Sequence, residues 1–155
     1  MQVSVTPNGK FFVFSLLDHT IKVCYMDSMR LLLNLYGHSL PVLTFDIASD
    51  SGILATGSAD KSIKIWGMDF GDIHKSLLVH TDSVTCVKFV PNSHYLWTAS
   101  KDKSIKMLDC DTYETIFIFD CFFGECWALT LSSIGDFLVV GSGDNVLRTF
   151  IQSES

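Results

Sequence analysis

His38, Thr56 and Asp60 are the residues of this sequence that most readily suggest chemistry. A hydroxyl, an imidazole and a carboxylate can form a nucleophile, a general base and the group that orients that base. The same three types return as His80, Thr98 and Asp102, each 42 positions further on. A nucleophile is needed once per site, so a set that repeats reads as scaffolding, and no catalytic residue is assigned. Gly141-Ser142-Gly143-Asp144 contains a Gly-x-Gly pair. A phosphate loop of that kind must open a helix, whereas the corresponding stretches of the chain read as turns between strands. His74 with His80, and His19 beside Asp18, lack the spacing of zinc ligands. No metal or other cofactor and no small-molecule substrate is expected.

The elements that position these residues follow from a repeat. Asp18, Asp60, Asp102 and Asp144 are spaced by 42 residues. Three positions after each stands an aliphatic residue: Ile21, Ile63, Ile105 and Leu147. Four after stands a base: Lys22, Lys64, Lys106 and Arg148. Six after come Cys24, Trp66, Leu108 and Phe150, and three before come the small residues Ser15, Gly57, Ala99 and Gly141. A fixed period with no slip in register marks a repeat architecture.

Each unit reads as short strands separated by turns. In the second, residues 42–47 form an apolar, β-branched run, 50–52 a turn, 53–56 a second strand and 58–61 another turn. Residues 62–66 alternate as a third strand, 67–72 form a loop and 75–79 a fourth strand. No segment carries the sustained spacing of a long helix. Four strands in 42 residues is the size of one propeller blade.

Composition limits the function classes. With 11 basic and 17 acidic residues the net charge is −6, which opposes binding to nucleic acid through a basic surface. The Lys22, Lys64, Lys106, Arg148 column is therefore read as packing, with stems against neighbouring sheets and heads reaching water. Mean hydropathy is high at +0.32. Even so, the most apolar stretch, 121–131, is about half a membrane span and holds Gly124 and Glu125. No membrane association and no signal peptide are expected. The five cysteines, Cys24, Cys86, Cys110, Cys121 and Cys126, are odd in number and lack a Cys-x-x-Cys pair. They are read as buried reduced thiols of an intracellular protein.

With these columns in place, the chain resembles the WD-repeat β-propeller family. Gly37-His38 opens unit two and Ile65-Trp66 ends its third strand; Val79-His80 opens unit three without the Gly. The fold class implied is all-β, with WD-repeat propeller blades in a partial or open propeller of about 3.7 repeats. The blades are expected at 1–36 (partial), 37–78, 79–120 and 121–155. A segment of a longer propeller is expected, ahead of a self-closed four-bladed ring or a ring completed by a second copy. In this family a His, a strand Ser or Thr, a turn Asp and a strand Trp form a buried hydrogen-bonded tetrad. The resemblance maps it onto His38, Thr56, Asp60 and Trp66. In unit three it maps onto His80, Thr98 and Asp102, with Leu108 in place of the Trp. Unit four keeps only Asp144, its other positions being Phe122, Val140 and Phe150. Unit one keeps Asp18, with Phe14 and Cys24 at two of the others.

The family also implies a partner-binding rim beside the tetrad turns: Pro41, Leu43, Lys61, Ser83, Thr85, Lys101 and Lys103. A narrower similarity, carried by Trp66-Gly67-Met68-Asp69-Phe70-Gly71-Asp72 and by Leu35 to Val42, is to the WD-repeat subunits of the nucleolar small-subunit processome. It implies a non-catalytic scaffold for protein–protein interaction in ribosomal RNA processing and small ribosomal subunit biogenesis. Its partners would be other protein subunits of a large ribonucleoprotein assembly, with any RNA contact indirect, and its location the nucleus and nucleolus. The alternatives are an adaptor of another complex (a ubiquitin ligase or signalling scaffold) or a truncated fragment without function.

Overall fold

Each repeat unit becomes one antiparallel sheet. The computed structural model describes residues 1–120 and 124–152. The first sheet is β1 (Val3–Val5), β2 (Phe11–Ser15), β3 (Ile21–Tyr25) and β4 (Leu31–Leu35). The second is β5 (Val42–Ile47), β6 (Ile53–Ser58), β7 (Ile63–Gly67) and β8 (Ile73–Leu77). The third is β9 (Val84–Phe89), β10 (Tyr95–Ser100), β11 (Ile105–Asp109) and β12 (Thr115–Phe119). The fourth holds β13 (Cys126–Leu131), β14 (Phe137–Ser142) and β15 (Leu147–Ile151). No helix occurs among the described residues. Phe122 and Cys121 lie outside them, as does part of the 121–155 unit.

The strands meander in sequence order, as short turns require. The turn between the second and third strand of every sheet is built on the repeated aspartate. Its carboxylate accepts the backbone N–H two residues on: Thr20 from Asp18 at 3.1 Å, Ser62 from Asp60 at 2.9 Å, Ser104 from Asp102 at 3.0 Å and Val146 from Asp144 at 3.2 Å. The residue between them is left-handed each time, with φ of 70° at His19, 72° at Lys61, 69° at Lys103 and 64° at Asn145. This Asx-turn explains why Asp144 stands in a unit whose histidine position is Phe122.

Strand boundaries of unit two depart from the sequence expectation: β6 runs two residues past 56, to Ser58, and β7 is shifted by one residue from 62–66. The fourth strand of unit two is β8 at Ile73–Leu77, two residues earlier than 75–79. The preceding loop is tighter than its composition indicates. Gly67 already pairs with Ile53, and the reversal closes through Gly71 N–H to Gly67 O and Gly67 N–H to Asp72 O, both 3.0 Å. Gly71 is left-handed at φ 71°, with a Cβ position only 2.8 Å from Leu35 Cδ2.

Successive sheets stack face to face. Val13, Ile21, Val23 and Leu35 of the first meet Phe45, Leu54 and Trp66 of the second. Ala55, Ile63 and Ile65 meet Val87, Leu96 and Leu108 of the third. Ala99 and Ile105 meet Leu129, Leu138 and Val140 of the fourth. The ring is not closed: the stack runs from the first sheet to the fourth through β2, β5, β9 and β13.

Side chains of the first strands stitch one sheet to the next. Gln2 exchanges two hydrogen bonds with the Phe45 backbone, at 2.9 and 3.1 Å. Thr44 Oγ1 accepts Val87 N–H at 3.2 Å, and Asp46 Oδ2 accepts Phe89 N–H at 2.8 Å. Cys24, Cys110 and Cys126 are buried, Cys86 is half-buried, and all four thiols are free. Burial pushes the Cys110 thiol up to about 12 and the Cys126 thiol up to about 11, which keeps both protonated and unreactive.

Candidate functional site

β6 and β7 of the second sheet, with the segment that enters β5, bring His38, Thr56, Asp60 and Trp66 into one hydrogen-bonded chain. His38 Nδ1 lies 2.9 Å from Asp60 Oδ2, and His38 Nε2 lies 2.7 Å from Thr56 Oγ1. Trp66 Nε1–H donates to the same hydroxyl at 2.9 Å. Burial holds the His38 imidazole below its ordinary value, although Asp60 pulls the other way. Burial raises Asp60, but the Ser62 hydroxyl and N–H, His38 and Ser39 N–H outweigh it and hold the carboxyl at about 2. A neutral imidazole beside an ionised carboxylate fixes the directions. Nδ1–H donates to Asp60, and Nε2 accepts the Thr56 hydroxyl.

The third sheet repeats this geometry. His80 Nδ1 stands 2.8 Å from Asp102 and Nε2 stands 2.9 Å from Thr98 Oγ1. Burial likewise lowers His80, and Asp102 is lowered because Ser104 and His80 outweigh its burial. Leu108, fully buried, fills the place of the indole. Hydroxyl, imidazole and carboxylate are thus aligned as in a nucleophile triad. Yet Thr56 and Thr98 are both 0% exposed, so no substrate can reach either oxygen. The chemistry available is structural: each set ties the strand entry, two inner strands and the Asp turn of one sheet together.

Two further pairs of serines in these networks have a sequence signal that lies outside the columns aligned above. Ser62 and Ser104, 42 apart, donate to Asp60 and Asp102 at 2.5 and 2.6 Å. Ser58 and Ser100, also 42 apart, bond the carbonyls of Pro41 and Ser83 at 3.0 and 2.9 Å. In the fourth sheet the guanidinium of Arg148 pairs with Asp144 at 2.6 Å and with Ser142 Oγ at 2.7 Å. The base column is therefore more engaged than the sequence suggested. Lys64 Nζ donates to Ser76 at 2.8 Å, and Lys106 Nζ donates to the Val79 carbonyl.

The rim residues divide. Lys61 and Lys103 are exposed at the left-handed turn positions, and Leu43 is exposed on β5. Pro41 and Ser83 are half-buried, and their carbonyls are tied to Ala59 N–H at 3.1 Å and Lys101 N–H at 3.0 Å. Thr85 is half-buried and its hydroxyl donates to the Cys126 carbonyl of the fourth sheet at 2.5 Å, so it acts between sheets. Lys101 lies 4.7 Å over the ring of Trp127, an indole 49% exposed. Trp127 continues the Leu43, Thr85 column by another 42 residues, which is the signal that would have found it.

A family model described as the WDR3 second beta-propeller domain matches residues 1–155. The chain belongs to that family of WD-repeat β-propellers. It is similar to the U3 small nucleolar RNA-associated protein 12 of Saccharomyces cerevisiae, 52% identical over 44 residues, which are 28% of this chain and 5% of that protein. It is also similar to WD repeat-containing protein 3 of Mus musculus, 55% identical over 40 residues, and of Homo sapiens, 52% identical over 40 residues. Each of these two covers 26% of this chain and 4% of the relative. The matched segments thus span a small part of the length of each relative.

Proposed function

We propose that this chain is a non-catalytic WD-repeat scaffold that acts through protein–protein contacts in the small-subunit processome. In this reading it serves ribosomal RNA processing in the nucleolus. The observation that carries this is the match of the WDR3 second-propeller family over residues 1–155. The yeast relative, associated by its name with U3 small nucleolar RNA, supports the same assembly. The contacts are made by the rim, where the turns of the histidine networks present Lys61 and Lys103, Lys101 lies over Trp127, and Leu43 is exposed on β5. Loops positioned by a rigid sheet are suited to recognition. Any contact with RNA runs through other protein subunits in this reading, because a net charge of −6 opposes binding to RNA by the chain's own surface.

The test is affinity purification of the tagged chain from nuclear lysate, with quantitation of U3 small nucleolar RNA. The RNA is expected to co-purify with the wild-type chain and to be lost from a Lys61→Glu/Lys101→Glu/Lys103→Glu variant that still folds. Recovery no greater than that of an unrelated small nucleolar RNA contradicts the proposal.

A further inference from the structure

The outer strand β12 reads Thr115-Ile116-Phe117-Ile118-Phe119 and is exposed along its whole length. Ile116, Phe117 and Ile118 are 43%, 52% and 55% exposed. Among the described residues, β12 is an end strand of its sheet and pairs only with β11. An edge strand offers a row of unpaired N–H and C=O groups, which proteins commonly blunt with charge. β8, the corresponding strand of the second sheet, carries His74 and Lys75, whereas β12 carries no charge. Its charges stand at the two ends instead, with Glu114 just before and Asp120 just after, both exposed.

The strand is also held in place. Phe119 stacks on Trp97 at 6.2 Å between centroids and lies 5.1 Å from Phe150. The register shift between Met107 and Leu108 leaves Phe117 to Phe119 in regular pairing with Ile105 to Met107. An ordered edge lowers the entropy cost of adding a strand.

We infer that the free edge of β12 docks a strand of a partner protein, an extended apolar segment bracketed by Lys or Arg at both ends. Charge complementarity selects this occupant over a second copy. Antiparallel pairing of two β12 strands sets Glu114 of each against Asp120 of the other, two like-charge contacts that oppose dimerisation. A basic-flanked strand turns the same positions into two attractive pairs while its backbone completes the ladder. β12 shares no residue with the rim, so each can be altered without changing the other.

The test uses the 155-residue chain and two synthetic peptides, KKVTVTVKK and EEVTVTVEE, titrated by fluorescence anisotropy in low salt. The basic-flanked peptide is expected to bind at least roughly tenfold more tightly. An N-methylated version, which cannot complete the ladder, should bind at least roughly tenfold more weakly. The Ile118→Lys variant should lose binding while keeping the wild-type circular dichroism and melt, because that side chain faces solvent. Glu114→Lys/Asp120→Lys should reverse the preference between the peptides. Equal binding of both, binding of neither, unchanged binding of the N-methylated form, or a wild-type dimer that Ile118→Lys dissolves would each overturn the inference.

Discussion

His38 and His80 hold the two histidine networks because each buried imidazole sits between a buried hydroxyl and an ionised, largely covered carboxylate. Removing His38 strips Asp60 of one charged hydrogen bond, leaves the Thr56 hydroxyl without its acceptor and opens a cavity. His38→Ala is therefore expected to cost about 3 kcal/mol. A chemical denaturation midpoint unchanged from wild type would refute that. The same groups set the acid response. Burial keeps both imidazoles below the ordinary 6.5 in the folded chain. Their contribution is complete above pH 6.5 and shrinks as pH falls, because the unfolded chain then binds protons that the folded sheets refuse. His94 works in the opposite sense. It lies 2.8 Å from both Asp50 and Asp111, and those carboxylates raise it. What it adds is complete below 6.5 and is lost as pH rises through its folded value. His94 is one partly exposed histidine whose ion pairs are screened by solvent, against two buried ones, so the melting temperature is expected to fall from pH 7 to pH 5. A double His38→Gln/His80→Gln variant should flatten that slope. A wild-type Tm that holds steady or rises over the interval would contradict it.

At the scale of elements, one repeat column makes opposite predictions at two of its positions. Gly57 on β6 faces the third sheet, and a Cβ there would stand 2.6 Å from Val84 Cγ1 and 2.9 Å from Thr44 Cγ2. Gly57→Ala is expected to cost about 1–3 kcal/mol through overpacking. Gly141 holds the same place on β14, yet a Cβ there meets Leu147 Cδ2 at an ordinary 3.6 Å. Gly141→Ala should be neutral or stabilise by about 0.5–1 kcal/mol, since it removes glycine's chain entropy from a strand. Thermal melts of the pair check both, and equal effects would mean that the sheets do not stack as described. This column was legible in the sequence, as were the Asp turns and most of the strands, because the period of 42 fixes register without tertiary knowledge. The start of β8 was not, because Gly67 and Gly71 read as loop until the tight reversal is seen. The His94 bridge was not legible either: Asp50, His94 and Asp111 hold different places in their units; His94 meets Asp111 within the third sheet, and only the stacking of the second sheet on the third adds Asp50. Ser62 and Ser104 were legible in principle, since their spacing is that of the aspartates they support.

At the scale of the whole molecule, four stacked sheets form an open arc whose rim and outer strands are presented by a stiff interior. Nothing in the buried networks exposes a reactive group, which fits a scaffold whose work is contact. The proposed membership of a large pre-ribosomal assembly is tested most directly by sedimentation. Nuclear extract is resolved on a density gradient and the fractions are blotted with an antibody to this chain. The account predicts a signal in the heavy pre-ribosomal fractions that moves to lighter ones when the RNA is digested. A signal confined to the top of the gradient, unmoved by ribonuclease, would contradict it.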